Sequence, residues 1–303
     1  MPSPTLNNHF RVKRPADGHP ERSRGIPLVF PEAIQLSAFP VSPRDPSTSL
    51  RFAQDDGGAM RMIRLALAGF LFMTAFAIPA GAEVQLSIFT GVALSQDGDV
   101  DLHQRGGTDL TFHDVSFEGR DFETPPYYGV RALWFPSELS HWGFGAEFFH
   151  MKMYAQTGDT VQVTGRRDGV AVNGNEPIND TIQQFSLSHG LNYALGDIVY
   201  RWLPGRRGED FLGHLTPYAG VGLGLAIPHV ETNVNGNFHQ EYQVHGPGVQ
   251  ALAGLDVALT RHWGLMFEYK FTYAHLGALD IPGGSIEVTP LNHHLVTGLT
   301  FSF

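Results

Sequence analysis

Cysteine is absent from the 303-residue chain, which excludes a disulfide framework, a Cys-ligated zinc site, a redox dithiol and a thiol nucleophile. Charge is sparse, with Asp, Glu, Lys and Arg making up 17% of the residues against 42% that are hydrophobic, a balance unlike that of a disordered chain. Long apolar runs are scarce too. The one long run is the 13 residues Leu65 to Ala77, short of the ~20 that a membrane-spanning helix needs. With a mean hydropathy of -0.11 the composition argues against a polytopic helical membrane protein. It leaves open a membrane β-barrel, whose apolar residues are diluted by alternation.

That single run has a use. Arg61 and Arg64 precede it, and Pro79 and the small residues Ala80, Gly81 and Ala82 follow it, the pattern of a secretory signal peptide with cleavage before Glu83. Residues 60–82 are therefore expected to be the export signal. Residues 1–59 are rich in Pro, Ser and Arg without apolar periodicity, so they read as a disordered extension or as a start assigned too far upstream. The remaining 83–303 form the folded part. It carries 11 Lys and Arg against 24 Asp and Glu, whereas residues 1–82 carry 9 against 6. An acidic exported chain is a poor nucleic-acid ligand. It suits solubility through net charge, or an envelope surface on which divalent cations bridge anionic groups.

From Glu83 onward the hydrophobic period is two. In Trp263, Leu265, Phe267, Tyr269, Phe271 and Tyr273 every second residue is large and apolar or aromatic, with Gly264, Met266, Glu268, Lys270 and Thr272 between them. Eight such segments are expected, at about 84–95, 126–135, 142–154, 189–202, 215–227, 247–259, 262–275 and 291–303, each long enough for a tilted membrane strand. Connections alternate between long (96–125, 155–188, 228–246, 276–290) and short (136–141, 203–214, 260–261). The pattern predicts an all-β fold, an eight-stranded antiparallel transmembrane barrel with both termini periplasmic. A soluble barrel is the alternative, but the face opposite the aromatics holds Arg131, Glu147, Asp197, Arg201, Asp256, Glu268 and Lys270. Those charges suit the paired lumen of a narrow barrel and not a dry core. Gly220, Gly222 and Gly224 fall on the lumenal face of one strand, with Val221, Leu223 and Leu225 on the other. GVGLG lacks the Lys-Ser/Thr of a phosphate loop.

Candidate chemistry gathers at the strand ends next to the long connections. His150, Lys152 and Tyr154 share a face if no bulge intervenes, and His229 and Glu231 lie two apart after Pro228, a spacing able to chelate a divalent metal. Strict alternation puts Glu147 and His150 on opposite faces, so either a bulge re-aims one or His150 faces lipid headgroups. Connection 155–188 could be a hairpin prolonging its neighbouring strands or a free loop. The acidic start of the first long connection, DGDVD, departs from a calcium loop, with Leu102 and Thr108 where Gly and an acid are required. Ser188 and His189 are a weak nucleophile pair, since strand neighbours point apart.

Several blocks resemble the outer-membrane barrels known as lipid A oxidases: FETPPYYGVRALW (122–134), GFGAEFFHMKMYA (143–155), LTPYAGVGLGLAIPHVE (215–231), EYQVHGPG (241–248), FEYKFTY (267–273) and the ending LTFSF. PPYYG, HMKMYA and IPHVE are the more specific parts, and the blocks span most of 83–303. The resemblance implies an outer-membrane enzyme of a Gram-negative bacterium that oxidises the proximal glucosamine of lipid A to aminogluconate, consuming dioxygen and releasing peroxide. It implies lipopolysaccharide as partner, and Phe303 closes a C-terminal strand of the kind read by the outer-membrane assembly machinery. No flavin, haem or nucleotide motif is present, so a divalent metal is the expected helper. Oxidation at C1 needs a base for the hydroxyl proton. His150, His229 and Glu231 are expected to supply metal ligands or the base, with Glu123 as an alternative base. Lys152 and Arg120 are expected on phosphate or sugar oxygens, with Tyr127 and Tyr154 as further substrate contacts. A non-catalytic barrel with a structural or adhesin role is the alternative, and a deacylase built on Ser188 and His189 a third.

Overall fold

The computed structural model describes residues 81–203 and 211–303. The expected N-terminal extension, and the export signal apart from its last two residues, lie outside the described residues. Among the described residues there is no α-helix. The strands in chain order are β1 (Glu83–Ser95), β2 (Gly98–Gln104), β3 (Thr108–Val115), β4 (Phe117–Glu118), β5 (Tyr128–Phe135), β6 (Trp142–Ala155), β7 (Thr160–Arg167), β8 (Val170–Pro177), β9 (Ile182–Arg201), β10 (Leu215–Val234), β11 (Asn237–Tyr242), β12 (His245–Ala258), β13 (Trp263–Ala274), β14 (Leu276–Ile281), β15 (Gly284–Val288) and β16 (Leu291–Ser302).

Eight of these close a ring of antiparallel pairs: β1 with β5, β5 with β6, β6 with β9, β9 with β10, β10 with β12, β12 with β13, β13 with β16, and β16 with β1. Closure satisfies every ladder and leaves no edge in the ring. Six of the expected segments match the strands to within two residues. The other two, β9 and β10, each have 20 residues and run past the expected limits at the long-connection end.

Alternation sets what each face meets. Ile88, Phe144, Ile198, Val221, Leu223, Leu225, Phe267, Leu295 and Leu299 stand exposed on the outer wall. Trp134, Trp142, Trp202 and Trp263 are exposed near the short-connection end and account for all four tryptophans of the chain, an interfacial aromatic girdle. A wall this apolar around a charged lumen is built for hydrocarbon, since water outside would leave the burial pattern inverted.

The lumen is plugged. Arg131 donates to Glu147 through Nε and to both oxygens of Glu268 through its terminal nitrogens at 2.7 Å each. Lys270 is paired with Glu147 and lies 3.5 Å from Glu268. The Phe89 and Phe149 rings lie 4.3 and 4.6 Å from the Lys270 ammonium. Gln250 donates to Asp197 at 2.7 Å, Gln85 to Asp256 at 3.0 Å, and Arg201 to Glu83 at 2.7 Å. Every lumenal charge expected from the alternation thus has a partner, as its burial demands. Gly222 leaves room for this layer, because a Cβ there would strike the Asp197 carboxylate.

The long connections are folded. Strands from three of them form a second sheet of six in the order β14-β15-β2-β3-β7-β8, while β11 prolongs the ladder of β10. Val100, Leu102, Leu110, Phe112, Val163 and Ile286 from this sheet share one core with Leu187 and Val230 on the overrunning parts of β9 and β10. The acidic connection is therefore a pair of amphipathic strands. Its carboxylates face outward, with Asp101 accepting from Thr111 at 2.5 Å and Asp109 lying 2.7 Å from His103. Connection 155–188 does hold a hairpin, β7-β8, but β7 pairs with β3 and does not prolong β6 and β9.

Candidate functional site

Where the apolar belt ends toward the long connections, the outer wall turns polar. Along β6 the outward series Trp142, Phe144, Phe148 is followed by His150 and Lys152. Along β10, Leu223, Leu225 and Ile227 are followed by His229 and Glu231. The inward series Glu147, Phe149, Met151, Met153 and Ala226, Val230, Val234 fall between them and are buried. His150 pairs in register with Tyr128 of β5 and Asn192 of β9, and Glu231 with Ser186. Of the two branches of the expectation for His150, the bulge that re-aims it or Glu147 is not found: simple alternation turns it outward, opposite in facing to Glu147, and neighbouring side chains leave it 2% exposed. A bulge is present in β9, where Ser188, His189 and Gly190 stand opposite the single residue Lys152.

The bulge shapes the cluster. Gly190 has φ +114°, and a Cβ on it would collide with the His150 ring, so glycine is needed twice over. Tyr128 stacks on His150 with ring centroids 5.0 Å apart, and Asn192 Oδ1 lies 3.0 Å from His150 Nδ1. His189 packs its edge on His229 at 4.6 Å, and Tyr242 of β11 covers His229 at 4.4 Å. Ser186 donates to Glu231 at 3.4 Å. The segment between β4 and β5 lies against this wall. Lys152 Nζ donates to the carbonyls of Glu123 and Thr124 at 3.0 and 3.1 Å, and the Arg120 guanidinium sits 4.1 Å above the Tyr154 ring and 3.8 Å from Glu123. Asp121 anchors the same segment by accepting from Ala93 N at 3.1 Å. Burial pushes its carboxyl above the usual Asp range, with the Ala93 N–H acting the other way.

No protein-family model matches the sequence, and no curated protein matches it. Among solved structures the chain is similar to Neisserial surface protein A (12% identity, 74% of this chain and 97% of that one covered, TM-score 0.35). It is also similar to the outer membrane protein OprG of Pseudomonas aeruginosa (14%, 74% and 96%, 0.31). A third is Ail, the attachment invasion locus protein of Yersinia pestis (12%, 74% and 99%, 0.32). Likenesses this distant transfer no activity, and the fold rests on the strand pairing of the chain itself.

Of the residues singled out from sequence, His150, His229, Glu231, Glu123, Lys152, Arg120 and Tyr154 all fall on this one stretch of wall. Tyr127 does not. It points into the barrel, buried, with its hydroxyl 3.3 Å from His294 Nδ1 and its ring stacked on Phe149 at 6.2 Å. Its neighbour Tyr128 holds the outward position, and alternation between consecutive tyrosines decides which is which. Lys152 is 3% exposed and occupied with two carbonyls, so it secures the 120–124 segment and does not stand open to a ligand. The expected metal set does not fit: among the described residues no three His, Asp or Glu side chains converge to hold an ion. His150, His229 and Glu231 line one wall without sharing a centre.

Sequence reading missed Asn192, His189 as a member of this cluster, Gly190 and Tyr128. HGLN at 189–192 reads as ordinary strand, and only the bulge makes it part of a site. The bulge also alters the Ser188–His189 pair, for the hydroxyl lies 3.3 Å from His189 Nδ1 although neighbours in a regular strand point apart. Among the described residues no carboxylate bonds His189, so a Ser-His-acid relay is incomplete.

Proposed function

We propose that the protein is an outer-membrane enzyme of a Gram-negative bacterium that acts on lipid A from the bilayer side, oxidising its proximal glucosamine to aminogluconate. One observation carries this reading: the polar cluster occupies outward-pointing positions of β6, β9 and β10 at the end of the apolar belt, with Arg120 and Glu123 exposed beside the covered His150 and His229, while the lumen is closed by ion pairs. A ligand reaching the cluster has to be an amphiphile whose acyl chains lie along the belt and whose sugars meet the rim. In this orientation the short connections and both strand termini are periplasmic, and the rim faces the outer leaflet.

The anomeric hydroxyl gives up its proton, and C1 gives up its hydrogen with two electrons to dioxygen, which leaves as hydrogen peroxide. The resulting lactone is opened by water to the carboxylate. The residues of the wall have separate tasks. His150 accepts the hydroxyl proton, and Arg120, held over Tyr154 with its side chain 42% exposed, turns its free edge to phosphate or sugar oxygens. Glu231 and Glu123 are the accessible acceptors for sugar hydroxyls. Lys152 fixes the 120–124 segment that carries Arg120 and Glu123. No step is assigned to a metal, because the donors do not converge.

The test is the mass of lipid A from cells with and without the gene, grown with and without aeration. Gain of one oxygen only in aerated, gene-bearing cells supports the proposal. Loss of an acyl chain would instead assign the Ser188–His189 pair a deacylase role, and an unchanged spectrum would favour a structural or adhesin barrel. The continuous six-stranded sheet built from three connections is the feature that gives that last reading its own support.

A further inference from the structure

We propose that Asn192 is a positioning residue that holds His150 in the tautomer protonated at Nδ1, leaving the Nε2 lone pair as the proton acceptor of the wall site. This rests on the functional reading above for what the lone pair does, but not for how it is held.

The amide of Asn192 has its orientation fixed from outside the pair. Its Nδ2 donates to the carbonyl of Ile227 at 3.1 Å and to that of Gly190 at 3.4 Å. Two carbonyl oxygens can be met only by the NH2 end, because the reversed amide would set oxygen against oxygen. The Asn192 oxygen must then face His150 Nδ1 at 3.0 Å. An oxygen there accepts, so Nδ1 carries the proton and Nε2 is left bare. The ring cannot turn over to exchange its nitrogens. Tyr128 stacks on it at 5.0 Å, and Gly190 fits against it only because that residue has no Cβ. His150 is 2% exposed, and its Nε2 has no hydrogen-bond partner among the described residues. A buried acceptor left unpaired is unfavourable, and an incoming hydroxyl satisfies it. Gly190 and Asn192 of β9 and Ile227 of β10 flank the shift in pairing between these two strands, so the fold itself dictates the tautomer.

The experiment uses the full chain refolded in detergent micelles with 15N-labelled histidine imidazoles. His150 is assigned as the resonance pair missing from H150A, and turnover is measured on lipid A with a free anomeric hydroxyl. The wild type should show a protonated Nδ1 and a bare Nε2. N192L should lose this tautomer, with kcat falling about 10²-fold or more and KM changing little, the behaviour of a base held in the wrong tautomer. A wild-type resonance showing a protonated Nε2 would overturn the inference, as would N192L with unaltered tautomer and turnover. Should N192L fail to fold, the wild-type spectrum alone decides. If H150A oxidises lipid A normally while the wild-type tautomer is as described, the functional reading fails and the positional one stands.

Discussion

Replacing Arg131 by methionine is the sharpest test of how this barrel is held shut. The guanidinium is 2% exposed, bonded to Glu147 and twice to Glu268 at 2.7 Å, with Asp197 a further 3.9 Å away. At an effective dielectric of ~20, a single pair at ~4 Å is worth about 4 kcal/mol before desolvation. Removing Arg131 leaves Lys270 alone against Glu147, Glu268 and Asp197 in a buried layer. Breaking a buried network from one side typically destabilises by about 3–5 kcal/mol, a factor of roughly 10²–10⁴ in the unfolding equilibrium. Removing a carboxylate along with the cation should restore part of this, so R131M/E268Q is expected to be more stable than R131M by at least about 1 kcal/mol. The assay is urea unfolding of the micelle-refolded barrel, followed by tryptophan fluorescence and by the mobility of unheated samples on gels. An R131M variant within about 0.5 kcal/mol of wild type, the range of a surface change, would refute the reasoning.

Y127F should leave lipid A modification near wild type because that ring faces the lumen, whereas Y128A should reduce it by removing the ring stacked on His150; equal effects in lipid A mass assays would contradict the facing assigned here. L223R, on the belt at a position 66% exposed to the membrane side, should destabilise the barrel by about 2–4 kcal/mol in the same urea titration. A neutral L223R would place that wall in water.

The strand content was legible because one physical constraint, apolar out and polar in, recurs in each of the eight barrel strands between Glu83 and Phe303. Trp263 to Ala274 shows it most clearly. The ends of β9 and β10 were not, since beyond Leu191 and Pro228 both faces of the sheet are covered and the apolar series no longer marks a boundary with lipid. The cap sheet was obscured for a related reason. In GDVDLHQ the buried Val100 and Leu102 are only two residues among carboxylates, and such short strands are defined by what they pair with. At the site, alternation set His150 and Glu147 on opposite faces but left open whether a bulge re-aims one of them. The register of β5 is what turns Tyr128, and not the expected Tyr127, outward, and only the pairing of β9 reveals the two extra residues that carry His189 and Gly190 to His150. A metal looked plausible because histidines recur at the strand ends, yet ligands on one flat wall do not converge on a point.

Isotopes decide whether this wall transfers two electrons from lipid A sugar to dioxygen. Purified barrel in micelles, given lipid A with a free anomeric hydroxyl under 18O2, should yield a product heavier by one unlabelled oxygen drawn from water. An equal amount of doubly labelled hydrogen peroxide should appear with it. Lipid A of unchanged mass, or 18O incorporated into the sugar, would contradict the account.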